Sequence, residues 1–468
     1  MDEGHTHYCH SLGLPELRRA ISDYYQRTYA VAVDPDHIII TPGTSPAMLL
    51  LFAALLEPGD EVIISDPHYA CYPNFIKFVQ GRVVTVPVYE EDGFQYRPDA
   101  IAAKITDRTR AIFINSPSNP TGNLLSAARM QAISTMGPHV VSDEIYHGLV
   151  YEGQEHSILE FSDQAFVLNG FSKLYAMTGF RLGYLIAPPA FIRPIQKMVQ
   201  NFFISANTMV QKAGVAALTQ TDDDTARMRT TYNERRIFMI RRLREMGFGI
   251  TVEPTGAFYV FANARHLSED SYALAFEILE KAGVALTPGV DFGPGGQGCL
   301  RISYANSLEN LEEGLERLAG FLTANVSPYR TELMKTLNDI APAVYVAFFT
   351  LAGTDAREAC VIERLEEQAF VHDDPAAVAK RAEVLLDDEA GAQRVTAFTE
   401  LEGVAVAVRT NVLFDVHGAH KQRFGREQLP RLHRLDSHVG ALRGTFPALA
   451  PAHASTCRSR AYFECGAA

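Results

Sequence analysis

The chain has 468 residues, 47% hydrophobic and 21% charged, an ordinary globular composition with room for two or three domains. A formal net charge of −13 argues against a general binder of nucleic acid or anionic membranes. No run approaches the roughly eighteen apolar residues of a membrane span, and the start, Met1-Asp-Glu-Gly-His5, lacks the basic and apolar regions of a secretory signal.

Taken in order, His5, His7, Cys9 and His10 place four possible metal ligands in six residues. No partner pair follows them, so no metal is expected. The six cysteines show no Cys-x-x-Cys spacing and read as reduced thiols of a cytoplasmic protein. Pro15 opens an amphipathic helix expected to run through Tyr25. Strand-like apolar runs begin near residues 37, 61, 82, 110, 139, 165 and 182. The first leads into Gly43-Thr44-Ser45 and an apolar helix over 48–56. A Gly/Thr/Ser turn at a helix N-terminus offers free N–H groups and the positive dipole end to an anion, although Ser-Pro also serves as a cap alone. The strand at 139 ends in Asp143, a costly anion to bury unpaired.

The run 165–168 is followed by Ser172-Lys173 and, eight residues later, by Arg181, before the chain returns to the core at 182–187. Burial between two strands and the nearby Arg181 would both lower the Lys173 pKa. An amine deprotonated near neutral pH is what Schiff-base chemistry requires; the bland alternative is a solvated lysine on a turn. A long charged helix over 222–246 then links to a small α/β segment containing Arg301 within an apolar strand. Such an arginine must find an anion, and its planar fork suits a carboxylate, the alternative being a structural ion pair. Asn306 with Glu309 reads as a capping box for a closing helix whose apolar face is Leu308, Leu311, Leu315, Leu318 and Leu322.

The phrase Ser172-Lys173 followed by Met177-Thr-Gly-Phe-Arg-Leu-Gly-Tyr184 resembles the cofactor-lysine signature of the class I/II aminotransferases, fold-type-I enzymes dependent on pyridoxal 5′-phosphate (PLP). Further phrases follow in that family's order from about residue 3 to 325. The resemblance implies a mostly parallel seven-stranded α/β domain flanked by helices over 1–228, a smaller α/β domain over 229–326, and an active site at a homodimer interface. It also implies site residues. Lys173 would carry PLP as a Schiff base and act as general base and acid. Asp143 would pair with the protonated ring nitrogen, Tyr146 and Asn119 with the ring oxygen, and Tyr69 would stack on the ring. Gly43, Thr44, Ser45, Ser172, Arg181 and the neighbouring subunit's copy of Tyr8 would hold the phosphate. Asn119 and Arg301 would grip the α-carboxylate. Glu144 reads as a structural or rim carboxylate.

The expected activity is transfer of an amino group between an L-amino acid and a 2-oxo acid, with a C–S lyase or an impaired homologue as the alternatives. Three departures from the family accompany the likeness. Its N-terminal arm is not seen ahead of Tyr8. Ser45 stands where aspartate-specific relatives often carry lysine. Gly170 stands where some members carry a phosphate-binding serine. Residues 327–468 read as an extension without evident chemistry, with helices over 331–351 and 375–386 and a disordered last forty residues.

Overall fold

The computed structural model describes residues 4–325, 366–372, 392–401 and 404–413. The chain divides into two units, 1–339 and 340–468. The first is built on seven strands, β1 (Ile38–Thr41), β2 (Glu61–Asp66), β3 (Arg82–Pro87), β4 (Thr109–Asn115), β5 (His139–Asp143), β6 (Phe166–Gly170) and β7 (Gly183–Ile186), in the order β1-β7-β6-β5-β4-β2-β3. The expected seven-stranded sheet is therefore present. The pairs β2–β3, β2–β4, β4–β5 and β5–β6 are parallel, whereas β7 runs antiparallel to β1 and β6.

The inner strands read as apolar for most of their length because they are buried on both faces, whereas the edge strand β3 is largely exposed. Successive residues alternate between two cores. Ile38, Ile40, Ile63, Ile112, Ile114, Val140 and Val167 lie in one, packed by Leu17, Ile21, Tyr25 and Tyr29 of the helix Pro15–Tyr29. Ile39, Val62, Ile64, Phe113, Val141, Phe166 and Leu168 lie in the other, packed by Leu50, Leu51 and Phe52 of the helix Thr44–Leu55. Each fully buried Ile, Leu or Phe contributes about 1.5–3 kcal/mol of apolar transfer. The first helix outlasts its expected end at Tyr25 because its four-residue stripe continues to Tyr29. It stops where Ala30 turns left-handed and donates its N–H to the Tyr25 carbonyl.

The parallel strands carry their C-terminal ends to one edge of the sheet. Register places Asn115 opposite Asp143, Asp143 opposite Leu168, and Gly183 opposite both Gly170 and Thr41. The turns after β1, β2, β4, β5 and β6 consequently meet there. Facing them is a three-stranded antiparallel sheet in the order β8-β10-β9, formed by β8 (Tyr259–Asn263), β9 (Thr287–Pro288) and β10 (Cys299–Ser303). It packs with the helices Asp222–Glu245, Ser271–Ala282 and Leu308–Asn325 around a third core, into which Ile145, Tyr146, Leu149 and Leu174 of the large-sheet turns also reach.

Two local expectations are corrected. The closing helix is capped by Ser307, whose hydroxyl accepts from the Asn310 N–H, while Asn306 bonds Ser307 N and the Asn310 amide. Leu308, in the first turn, is 46% exposed, whereas Leu311, Leu315, Leu318 and Leu322 are buried as expected.

The second unit contains a three-stranded antiparallel sheet in the order β11-β13-β12, from β11 (Glu366–His372), β12 (Ala392–Leu401) and β13 (Val404–Leu413). The sequence reading did not anticipate these strands, although Val404-Ala-Val-Ala-Val408 alternates in the strand manner. The helices expected at 331–351 and 375–386 and the expected disorder of the last forty residues lie outside the described residues. Among those described, no helix is long and apolar enough to cross a membrane.

Candidate active site

Lys173 stands on the turn between β6 and β7, its Nζ 5.8 Å from the ring centre of Tyr146 and 5.4 Å from that of Phe258. Its pKa is lowered first by burial, then by Arg301, with Arg181 weaker and Asp143 opposing. The direction and both causes expected from the sequence, burial and Arg181, are present; what local spacing does not reveal is that Arg301, 128 positions away, outweighs Arg181.

Asp143 closes β5 and is 4% exposed. Its carboxylate accepts from the Tyr72 hydroxyl at 2.7 Å and from the Ile145 N–H at 3.2 Å, and it forms no ion pair among the described residues. Burial raises its pKa to about 6, against the lowering by those two hydrogen bonds. An acid with pKa 3.8 unfolded and about 6 folded binds more protons in the native state, so stability falls as pH rises between those values, by about 3 kcal/mol in all. In the cofactor-free protein, Asp143→Asn should remove this term. Denaturant midpoints of the variant and the parent should be close at pH 4 and diverge in the variant's favour by pH 7.

Tyr72 escaped the sequence reading. Its signal is faint: a second tyrosine three residues after Tyr69 at the mouth of β2, where it opens the helix Tyr72–Phe78. Tyr69 itself is half-buried, its ring 5.3 Å from that of Tyr72 and edge-on to it. Glu144 is fully buried and structural, accepting from Tyr25, Ser157 and the Ile158 N–H. Tyr146, also buried, shares a 3.0 Å hydrogen bond with the Tyr259 hydroxyl.

Gly43 caps the helix Thr44–Leu55 with φ +93°, leaving the first-turn N–H groups open beside half-buried Thr44 and exposed Ser45. A Cβ at Gly43 would lie 2.5 Å from Arg181 Nη2, so the guanidinium rests directly on the glycine. Arg181 adopts φ +53° and donates from Nη1 to the Thr178 carbonyl at 2.9 Å. β7 approaches the same turn: a Cβ at Gly183 would meet Gly43 C at 2.8 Å, and one at Gly170 would meet Gly183 Cα at 2.9 Å. Ser172, half-buried, begins the turn that bears Lys173. Tyr8 is 80% exposed on a segment tied down by the Thr208 hydroxyl, which donates to the His7 carbonyl.

Arg301 lies on β10, half-buried, and forms no ion pair with a carboxylate among the described residues. Nη1 donates to Asn119 Oδ1 at 2.9 Å and Nη2 to the Thr287 hydroxyl at 3.2 Å, while the buried Nε has no hydrogen-bond partner. Its guanidinium carbon sits 4.4 Å from the Tyr259 ring centre and 4.8 Å from that of Phe292. The structural ion pair weighed from the sequence is thus not formed there. Asn119 is buried, and its N–H donates to Asn115 Oδ1, whose own amide is fixed on the Asp143 carbonyl. One edge of the sheet therefore gathers a partly desolvated amine, a buried carboxylate, an anion cup with an arginine, and a guanidinium open to a carboxylate.

The sequence pattern described as Aminotransferase class I and II matches residues 1–318. A (5-formylfuran-3-yl)methyl phosphate transaminase from Methanocaldococcus jannaschii is 41% identical over 326 residues, 69% of this chain and 85% of that protein. An aspartate aminotransferase from Pyrococcus horikoshii is 39% identical, covering 68% and 83% respectively. The crystal structure of an aromatic aminotransferase from Pyrococcus horikoshii superimposes with TM-score 0.67 at 36% identity, covering 69% of this chain and 89% of that one.

Proposed function

The chain belongs to the class I and II aminotransferases, fold-type-I enzymes that use PLP to move an amino group between an amino acid and a 2-oxo acid, and within that activity we propose the following roles for its residues. When bound, PLP supplies an electron sink that makes the substrate Cα–H acidic. The residues present fit it. Asp143 is a buried carboxylate with no ion pair among the described residues, suited to a protonated ring nitrogen. The Gly43–Ser45 turn with Arg181 suits a phosphate. Lys173 would hold the cofactor covalently, and its Nζ, once free, would take the proton from the substrate Cα and deliver it to the cofactor's C4′, acting as base and then as acid. Tyr146 would donate to the ring oxygen together with Asn119, and Tyr69 would stack on the ring. Ser172 and Tyr8 of a second copy complete the phosphate shell.

The observation that carries this reading is Arg301. An arginine with its Nε buried and no carboxylate partner among the described residues, held toward Asn119 within electrostatic reach of Lys173, is suited to an α-carboxylate. Bidentate capture there would align the Cα–H bond before Lys173 acts.

Residues 1–228 serve as the cofactor domain and 229–326 as the smaller domain. Two copies pair through the surface bearing Tyr8; exposed Phe202, Ile204 and Met209 near the same segment support this. A cytoplasmic setting accords with the free thiols of Cys9, Cys71 and Cys299. The donors of the relatives, aspartate and aromatic amino acids, head the candidates. Purified protein loaded with PLP should show a visible band that one amino acid in a panel of aspartate, glutamate, alanine, aromatic and branched-chain donors bleaches, and a 2-oxo acid restores. A loaded protein that no member of the panel bleaches would overturn the donor assignment.

A further inference from the structure

Tyr259 belongs to none of the roles above, yet it touches two of the groups that carry them. It begins β8 and is 6% exposed. Its hydroxyl lies 3.0 Å from that of Tyr146, on the turn after β5. Its ring lies under Arg301, 4.4 Å from the guanidinium carbon. Pairing explains the second contact. Arg301 stands opposite Phe261 across the β8–β10 ladder, so Tyr259, two residues back on the same face, is its diagonal neighbour. We propose that Tyr259 is a positioning residue that joins the two halves of the site, its hydroxyl orienting Tyr146 and its ring holding Arg301 ready for the substrate carboxylate.

The hydrogen-bond inventory fixes the direction. A tyrosine has one proton to donate. With the Tyr146 proton committed to the cofactor's ring oxygen, Tyr259 must donate to the Tyr146 oxygen. Donation into Tyr146 polarises its O–H and strengthens the bond it makes in turn. The ring acts separately: a π face beneath the guanidinium restrains its plane and favours its charge. Phe292, 4.8 Å from the same carbon, shares that duty and has no hydroxyl, which leaves the link to Tyr146 to Tyr259.

This inference rests on the roles proposed for Tyr146 and Arg301, and two variants separate its halves. Tyr259→Phe keeps the ring and loses the hydroxyl. It should raise the pH midpoint of the bound cofactor's visible band by about half a unit to one unit, with KM for the bleaching amino acid within about twofold of the parent. Tyr259→Leu should show the same band shift and raise KM by about 3- to 30-fold. An unmoved midpoint in Tyr259→Phe would overturn the hydroxyl's role, and an unmoved KM in Tyr259→Leu would overturn the ring's. Failure of the underlying reading would look different: Tyr146→Phe would leave the midpoint unmoved, or Arg301→Gln would leave KM unmoved. A circular-dichroism melt of Tyr259→Leu checks folding, and Tyr259→Phe, which removes only one oxygen, keeps the test informative should the leucine variant unfold.

Discussion

Lys173→Ala should abolish measurable transamination, a loss of at least about 10⁴-fold. General acid–base transfer by a positioned side chain accounts for about 10²–10⁴, and loss of the covalent anchor removes orientation as well. The two rings beside the Lys173 Nζ, those of Tyr146 and Phe258, are poor substitutes, one a phenol whose pKa burial raises well above its usual value and the other without a proton to exchange. The lowered pKa of Lys173 sets the pH at which its amine is available, and burial and Arg301 are its main causes. The check is direct. Borohydride treatment followed by mass spectrometry should fix the cofactor's mass to the parent chain at Lys173 and add nothing to the alanine variant. Full turnover by that variant would defeat the mechanism.

Arg301→Gln should lower kcat/KM for the amino acid by about 10²- to 10³-fold, mostly through KM, because the carboxylate is gripped alike before and during reaction. Arg301→Lys should not restore it. A point charge on a flexible stem cannot make the paired bonds now aimed at Asn119 and Thr287, nor lie flat near Tyr259 and Phe292. An amine without a carboxylate, such as 2-phenylethylamine, is the control. It should react slowly and, with each protein assayed on its own pH plateau because Arg301 also lowers the Lys173 pKa, at the same rate with parent and variant. A variant that loses rate equally toward both substrates would show that Arg301 supports the fold rather than the carboxylate.

Much of this architecture was legible because the inner strands of the large sheet are covered on both faces, so most of their length had to be apolar. Residues 62–64 and 111–114 needed no partner information to be found. Lys173, Asp143 and Arg301 stood out for a related reason: each is an ionisable group at the edge of, or inside, an apolar run. Groups that matter only through tertiary neighbours were illegible. Tyr72 and Tyr259 look like core aromatics until the fold brings Asp143 and Tyr146 to their hydroxyls. The dominance of Arg301 over Arg181 at Lys173 depends on how the small sheet meets the large one, which local spacing does not encode. The cap of the closing helix slipped by one residue because Asn306 and Ser307 are both cap formers, and only geometry chooses between them.

The glycines that face one another behind the anion cup also constrain how this lineage can drift. Backbone at Gly170 abuts Gly183, and Gly183 abuts Gly43, so a side chain added at any one of the three presses on a neighbour in the same stack. A serine at 170, the residue some cousins use to bind phosphate, would bring its Cβ within 2.9 Å of the next strand. Acquiring it would require β7 to retreat first, loosening the cup the serine was meant to improve.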